Sequence, residues 1–498
     1  MAQEPAARDR RAEWLNRETA RLEAASAVKR LTRALGYYLD QGAWDEAAGL
    51  FAEDGAIEVA LDGVYRGRER VRQYLYALGG GRRGLREGEL HECFLVQPVV
   101  DVSSDGRTAR ARWRLFLMAG RLGERAVWAE GPVEVRYVRQ DEPAPAWRIA
   151  SVHAYQTFIV PYEGGWVRHG DATGGKLVSH RLAPDAPPTE HYEPWPGVHT
   201  PPLHFNREAL RPPADDPSPL EQRVLLLHDV AQIENLVSAY GYFLDKQQWD
   251  ALAALFTQDA TMEISQRGVY VGRPSIRRAL ELFGPQGIER NHLHNHMQLQ
   301  PVIHVAADRR RAWVRSRAFS QLAVYETVGI WHGGLYENEL VNQDGLWHLA
   351  TDHVYTTYFA HYEQGWMSGP RPTPKPSEKI PPDRPATEVY ESFPEVYIPP
   401  FHYRHPVTGR AVDVAQPADG GSTRAPAAHD FPPDAGARLP AVDLRALPPS
   451  LAGNVERIRR LEDEQAIENL QRSYGYFVDK ALWREAADLF TEDGTLEI

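Results

Sequence analysis

The sequence predicts an α+β protein made by tandem duplication, and two observations carry that reading. One stretch is written three times: "LGYYLDQGAWDEAAGLFAEDGAIEV" at 35–59, "YGYFLDKQQWDALAALFTQDATMEI" at 240–264 and "YGYFVDKALWREAADLFTEDGTLEI" at 474–498. Within each full unit, helical periodicity comes first and strand-like alternation follows, the order expected when helices pack on a largely antiparallel sheet.

The repetition extends well beyond that stretch. The first two copies keep one offset across Gly36/Gly241, Asp40/Asp245, Trp44/Trp249, Phe51/Phe256 and Tyr65/Tyr270. "VQPVVDVSSDGRTARARWRLF" (96–116) parallels "LQPVIHVAADRRRAWVRSRAF" (299–319), and "WRIASVHAYQTFIVPYEGGWV" (147–167) parallels "WHLATDHVYTTYFAHYEQGWM" (347–367). The repeating unit is about 200 residues, a whole domain plus an arm and far longer than a solenoid repeat. The divisions predicted are a first domain at 1–183, an arm at 184–215, a second domain at 216–369, an arm and linker at 370–450, and the truncated start of a third domain at 451–498.

In the second unit, Ile233, Leu236, Val237, Tyr240 and Leu244 recur at helical spacing, predicting an amphipathic helix. "QWDALAALFTQDA" predicts a second helix, with Asp245 at the joint where it could cap the helix start. "TMEIS" and "GVYVG" read as short strands. "PSIRRALELFG" reads as a third helix, opened by proline and closed by glycine. Four strands rich in Val, Tyr, Trp and Thr are predicted at about 292–305, 310–325, 327–342 and 346–358. The proline-dense arms carry many aromatics, which suits docking on a surface. The stretch 413–450 has fewer and reads as a linker.

Composition excludes several classes of function. A net charge of -12 argues against nucleic acid or an anionic membrane as partner. The single cysteine, Cys93, rules out an intramolecular disulfide and favours a reducing, cytoplasmic setting. The charged N-terminus has no signal-peptide core, and no apolar run is long enough to span a bilayer. No phosphate-cradling glycine loop or nucleophile elbow is present, and no cofactor is expected.

Three helices followed by a curved, mostly antiparallel sheet, together with the motifs "YGYFLD…W…LF…DA…EI", "GVYVG" and "HMQLQPV", resemble the SnoaL-like, nuclear transport factor 2-like superfamily. The resemblance covers both full units and the third as far as it goes. It implies tandem cone-shaped α+β barrels. In SnoaL-like dehydratases a Tyr on the first helix, an Asp at its end and a His on the first long strand form the active site. Tyr240, Asp245 and His296 match those positions. The fold hosts dehydratases, isomerases, cyclases, hydrolases and plain binders, so it leaves the reaction open.

The residue types suit acid–base chemistry. A histidine can take a proton alpha to a carbonyl, and a tyrosine can stabilise the resulting enolate or protonate a leaving hydroxyl. Tyr242, Phe319, Trp331, Asn338, His353 and Tyr355 are the candidate substrate-binding residues. Each has a plainer reading: Tyr240 as a core aromatic, Asp245 as a helix cap, and Phe319 and Trp331 as core. His332, His304, His402 and His405 are expected at the surface. The run His292, His294, His296 also permits a metal-dependent hydrolase, although the ends of that run lie about 13 Å apart on a strand.

Unit one has Leu35 in place of Tyr240 and Cys93 in place of His296. The expected function is therefore a cofactor-free lyase or isomerase, dehydratase-like, with its site in the second domain and a degenerate first domain. Its substrate would be a hydrophobic, oxygenated small molecule of polyketide, steroid or terpenoid class. The alternative is a non-catalytic binder or scaffold. The two domains are expected to pair as an intramolecular pseudo-dimer through their sheet faces, each arm crossing the other barrel, with homo-oligomerisation left open. The third copy stops before any counterpart of His296; it is expected to be poorly packed or to lean on another unit, with fast proteolysis near 440–498.

Overall fold

The computed structural model describes residues 3–141, 145–168, 175–412, 414 and 449–498. Unit one opens with α1 (Gln3–Asp40) and α2 (Trp44–Gly49), then β1 (Phe51–Val59), β2 (Val64–Arg66) and α3 (Arg68–Leu78). The long strands β3 (Glu89–Val102), β4 (Thr108–Arg121), β5 (Arg125–Gln140) and β6 (Ala146–Ala154) follow, then β7 (Phe158–Pro161) and one turn of helix, α4 (Gly165–Arg168). Unit two repeats this order with α5 (Pro219–Asp245), α6 (Trp249–Ala253), β8 (Phe256–Ile264), β9 (Val269–Val271) and α7 (Arg273–Leu280). Its long strands are β10 (His292–Val305), β11 (Arg311–Val324), β12 (Val328–Gln343) and β13 (Leu346–His361), before a final turn, α8 (Gly365–Ser368). The third copy contributes α9 (Pro449–Asp479) and α10 (Trp483–Ala487).

The second sheet runs β10-β11-β12-β13-β8-β9 and is antiparallel except where β13 meets β8. Register shifts between Leu299 and Val302 and between Glu339 and Leu340 bend it into a cone, as bulges do. The helices close the cone, burying Ile233, Trp249, Phe256, Tyr270 and Trp347 against its inner face. These are tandem cone-shaped α+β folds, and the four long strands fall within a few residues of their predicted bounds, whereas the second predicted helix stops at Ala253 and its end, from Phe256, is strand β8.

Two local expectations are corrected. Asp245 does not cap the second helix. Gln248 holds that position without a side-chain hydrogen bond, while Asp245 ends α5 with its carboxylate engaged elsewhere. The strong cap belongs instead to α5, where Ser218 and Glu221 exchange hydrogen bonds in a capping box ahead of Pro219. The second correction concerns histidines expected at the surface. His402 and His405 are fully buried, because residues 400–405 are inserted between the second sheet and the third copy. His402 Nδ1 lies 2.8 Å from Glu337 Oε2, His304 Nδ1 lies 3.1 Å from His402 Nε2, and His405 Nε2 donates to the Glu485 carbonyl at 2.8 Å.

Successive units meet in the same way each time. The first helix of one unit lies over the bulged first long strand of the unit before it. Tyr242 Oη donates to the Gln97 carbonyl at 3.0 Å, and Tyr476 Oη donates to the Gln300 carbonyl at 2.9 Å. Gln97 and Gln300 both sit at positive φ in the bulge, which turns that carbonyl out of the ladder. Asn235 Nδ2 donates to Val100 O, and Asn469 Nδ2 donates to Ile303 O at the matching place. Arg114 pairs with Asp245, and Arg317 pairs with Asp479. The outer sheet faces themselves touch at one end, where Phe116, Trp128 and Trp166 meet Phe319 and Trp331.

Each arm lies first over its own barrel. Thr189 is bonded to Glu58, Thr387 is bonded to Glu263, and Tyr390 and Tyr397 stack on Tyr355. The first arm then reaches unit two: Glu193 pairs with Arg290, the Pro196 carbonyl accepts the Asn291 N–H at 3.0 Å, and Arg207 donates to the Trp347 carbonyl. Of the predicted linker at 413–450, residues 413 and 415–448 fall outside the described residues, and 449–450 already belong to α9. Among the described residues no helix is long and apolar enough to cross a membrane.

Arg114 is wholly buried between Glu130, at 2.6 Å, and Asp245. Removing one member of such a group strands an uncompensated charge. Arg114→Met should therefore destabilise the chain on the order of 3–5 kcal/mol, and Arg114→Met with Asp245→Leu should recover part of the loss; thermal unfolding of the two variants checks this.

Candidate functional site

The amphipathic stripe of α5 turns Tyr240 into the second cone, where its hydroxyl donates to Asp352 Oδ2 at 3.0 Å. Asn338, on the neighbouring strand directly opposite Asp352, shares that inner face. The ring of Tyr336 meets that of Tyr240 edge-on at 5.9 Å. Gln298 Oε1 accepts from Ser316 Oγ at 2.8 Å, while Gln298 Nε2 is buried with no hydrogen-bond partner among the described residues. Asp352, Tyr240, Tyr336, Gln298 and Ser316 thus gather as one group of buried polar side chains, two pairs of which are hydrogen-bonded.

A second group stands beside it. His294 and His296 alternate on β10 and bring their rings within 4.3 Å. His294 Nδ1 donates to the Leu244 carbonyl at 3.3 Å, whereas His296 Nδ1 is buried with no partner among the described residues. Ser320, paired with His296 across the ladder, lies 3.2 Å from His332 Nδ1, and His332 Nε2 lies 3.4 Å from Thr356 Oγ1. His332, expected at the surface, is thus an interior residue. Phe283 lies over both His294 and His296, with ring centroids 5.8 and 6.4 Å away. Gln247 Nε2 donates to the Phe283 carbonyl at 2.7 Å, and Gln247 also lines an open cleft of about 430 Å³ together with Gln286 and Ile288.

Burial sets the charges. It pushes the Asp352 carboxyl up to about 7, against the hydrogen bonds of Tyr240 and Asn338, which favour the charged form. Burial and the nearby Asp352 push the Tyr240 phenol well above its ordinary value, so it remains a neutral hydroxyl. Burial, with His294 and His332 adding to it, holds His296 well below the usual imidazole range. The site therefore presents a neutral imidazole and neutral phenols, an uncharged acid–base set.

Several predicted site residues lie elsewhere. Asp245 points out of the cone: one oxygen accepts the backbone N–H of His296 and the other binds Arg114. Asp40 accepts the backbone N–H of Cys93 in the same way, so this clamp fixes helix to strand whether or not a histidine follows. Tyr242 faces unit one, with Arg112 and Arg114 over its ring. Phe319 and Trp331 belong to the aromatic contact between units. His353 and Tyr355 stack at 3.9 Å on the outer face, with His353 Nε2 3.6 Å from Glu263. Of the predicted set, Tyr240, His296 and Asn338 line the cone. His292 stands at the exposed start of β10, and among the described residues no three His, Cys, Asp or Glu side chains are grouped to hold a metal ion.

Sequence reasoning missed Gln298, Ser316, Ser320, His332, Tyr336, Asp352 and Thr356. A signal for them existed in the repeat. Unit one carries Leu95, Trp113, Leu117, Ala129, Val133 and Val152 at the first six of those positions, Val135 opposite Asn338, and Gln156 opposite Thr356. Trp113, Val133, Val135 and Val152 are core residues of the first barrel. The first cone is apolar at six of these seven positions, with Gln156 as the polar exception, where the second buries polar side chains.

The raised Asp352 carboxyl makes a pH prediction. A carboxyl that binds its proton more tightly folded than unfolded stabilises the fold below its unfolded value and loses that contribution as pH rises through its folded one. Between about pH 4 and pH 7 this group should cost the wild type on the order of 2–4 kcal/mol, and Asp352→Asn should flatten that slope. Asp245, pushed up to about 6, acts in the same direction and remains in the variant, so the difference between the two denaturation series isolates Asp352.

The model of the SnoaL-like domain matches residues 20–153, 226–351 and 459–498, together more than half of the chain. No curated protein matches. Among solved structures, a candidate scytalone dehydratase from Novosphingobium aromaticivorans is 22% identical, covering 31% of this chain and 96% of its own, with a TM-score of 0.25. A candidate aromatic ring hydroxylase from the same organism is 18% identical over 28% and 93% of the two chains, with a TM-score of 0.24. ActVI-ORFA from Streptomyces coelicolor is 14% identical over 26% and 95%, with a TM-score of 0.23. With the same domain matched three times along it, this chain belongs to the SnoaL-like family.

Proposed function

We propose that the second barrel is a cofactor-free acid–base site that dehydrates or isomerises a hydrophobic, oxygenated small molecule, and that the first barrel is catalytically inert. One observation supports this reading: buried polar side chains stand in cone two at six positions where cone one carries Leu, Trp, Ala or Val. Burying hydroxyls, an amide, a carboxyl and an imidazole costs free energy that apolar side chains at those positions avoid.

In the proposed reaction the neutral His296 takes a proton from the carbon alpha to a substrate carbonyl. Tyr240, held by Asp352, and the neighbouring Tyr336 stabilise the enolate oxygen through their hydroxyls. For a β-hydroxy ketone, a phenol then protonates the departing hydroxyl, which leaves as water. After the product leaves, the imidazolium of His296 gives its proton to solvent water and the phenolate takes one up, which restores both groups. In an isomerase the same proton returns to a different carbon. Phe283 would act as the gate between the rim cleft and the two imidazoles.

A second reading is favoured by one specific feature. Tyr240 sits in the packed core, with Phe256 and Tyr336 against its ring, as it would in a scaffold that uses its barrels only for docking.

The test is turnover of a panel of β-hydroxy aryl ketones, with solvent deuterium uptake at the alpha carbon as a second readout. His296→Ala should lower both by about 100-fold or more, the usual contribution of a general base, while Cys93→Ala leaves them unchanged. Equal effects of the two substitutions would remove the asymmetry between barrels, and absence of any exchange across the panel would favour the scaffold.

A further inference from the structure

The two barrels differ again at the turn between their first two strands. That turn has the same backbone in both: Ala60 and Ser265 sit at φ 51°, and Gly63 and Gly268 at φ 99°. Between them stands Asp62 in unit one and Arg267 in unit two. Asp62 is 1% exposed. Its carboxylate accepts the backbone N–H groups of Leu177, Val178 and Ser179, and the Tyr74 hydroxyl at 3.0 Å. Val178, also 1% exposed, and Tyr74 belong to the core of the first barrel. The chain just ahead of the first arm thus plugs the space between the turn and α3.

Unit two lacks the parts of that plug. Counting back from the matching Asp185 and Asp383, Pro376 stands in the place of Val178, and a proline has no N–H to give. Ala279 stands in the place of Tyr74. Pro376 is exposed, and the arm is held instead through Thr373 and Ser392, whose hydroxyls lie 3.0 Å apart. Arg267 is left on the turn with no ion pair or side-chain hydrogen bond among the described residues. Burial holds its guanidinium below the ordinary arginine range, and no carboxylate acts on it to offset that.

Arg267 also stands close to the interior histidine of the second cone. Burial, with the charge of Arg267 adding to it, holds His332 down to about 4. Phe359, opposite His332 on the ladder, meets that ring edge-on at 5.6 Å. Arg371 lays its guanidinium over Phe359, 4.9 Å from the ring centroid, and has no ion pair among the described residues. Two arginines without carboxylates therefore flank one aromatic corner of the second cone. A guanidinium partly removed from water and left unpaired is a fork for a planar anion.

We infer that Arg267 and Arg371 form an anion subsite beside His332 in the second cone, and that the molecule held there is a hydrophobic carboxylate. The inference rests on the reading of cone two as the working barrel and narrows its substrate to an acid. The carboxylate accepts from Arg267, and its hydrocarbon body lies against Phe359. His296 and His332 both pair with Ser320 across the ladder, so they stand two strands apart, about 10 Å along the sheet. One ring between the carboxylate and the reacting carbonyl suits that span. Cone one excludes the same ligand, because Asp62 and its plug occupy the place.

The test compares a β-hydroxy aryl ketone bearing a para carboxylate with its neutral methyl ester, using the full chain. Calorimetry should show the acid binding at least tenfold tighter, as expected of a hydrogen bond to a charged group. Arg267→Gln should remove that preference without lowering the melting temperature, because its side chain has no partner to lose. Arg371→Gln should reduce the preference, and Arg310→Gln, at a distant turn of the sheet, should leave it whole. Equal binding of acid and ester by the wild type overturns the subsite, and so does an acid preference that survives Arg267→Gln. Equal loss in Arg310→Gln also overturns it, since the effect is then one of net charge. Failure of the subsite and failure of the chemistry are distinguishable. An acid preference that depends on Arg267, without any dehydration, supports the subsite and removes the acid–base reading. Dehydration with equal KM values for acid and ester supports the chemistry and overturns the subsite.

Discussion

At the last turn of α5, Asp245 accepts the backbone N–H of His296 with one oxygen and the guanidinium of Arg114 with the other. The first contact locks the helix that carries Tyr240 to the strand that carries His296. The second locks unit two to the sheet of unit one. Neither carboxylate nor guanidinium is reached by solvent, so each is tolerable only because the other is there, with Glu130 completing the charge balance. Gly241, four residues earlier, allows the approach: a Cβ there would stand 2.7 Å from the His296 carbonyl and collide with the Gln97 amide. Placement of the site and assembly of the units thus rest on the same short segment.

Because that segment is repeated, the architecture repeats. Asp40 makes the inner half of the clamp, Asp479 pairs with Arg317 to make the outer half, and Asp245 makes both. The difference between the barrels therefore lies inside them. Unit one carries packed hydrocarbon at these positions, among it Val133, Val135 and Val152, and so avoids the cost of burying polar groups. The second cone bears that cost and offsets part of it: Asp352 holds Tyr240, Ser316 holds Gln298, and Ser320 and Thr356 flank His332. His296 Nδ1, Gln298 Nε2 and Asp352 Oδ1 are buried with no hydrogen-bond partner among the described residues.

The sheets illustrate why some site residues were legible and others were not. Tyr240 and His296 stand in motifs that the repeat itself marks by their loss in unit one. Tyr336 and Asp352 stand in strands where both faces are buried, one by the helices and the other by an arm or a neighbouring unit. With no exposed face, alternation cannot say which residues point inward. His353 and Tyr355 were taken for lining residues and are covered by Tyr390 and Tyr397 of the arm. The same arm conceals His402 and His405, whose polarity alone would place them outside.

By itself the sequence determined the repeat, the order of helices and strands, the family and the pairing of a tyrosine with a histidine in one unit only. These follow from periodicity and from internal comparison, which act along the chain. Tertiary structure decided that Asp352 is the carboxylate bonded to Tyr240 and that Asp245 turns out of the cone, and it decided which histidines share the cone. It also decided that units join helix to bulged strand. Those outcomes depend on register and on burial of both sheet faces. Both arise only when segments distant in sequence meet, and a one-residue change in strand register exchanges the inner face for the outer.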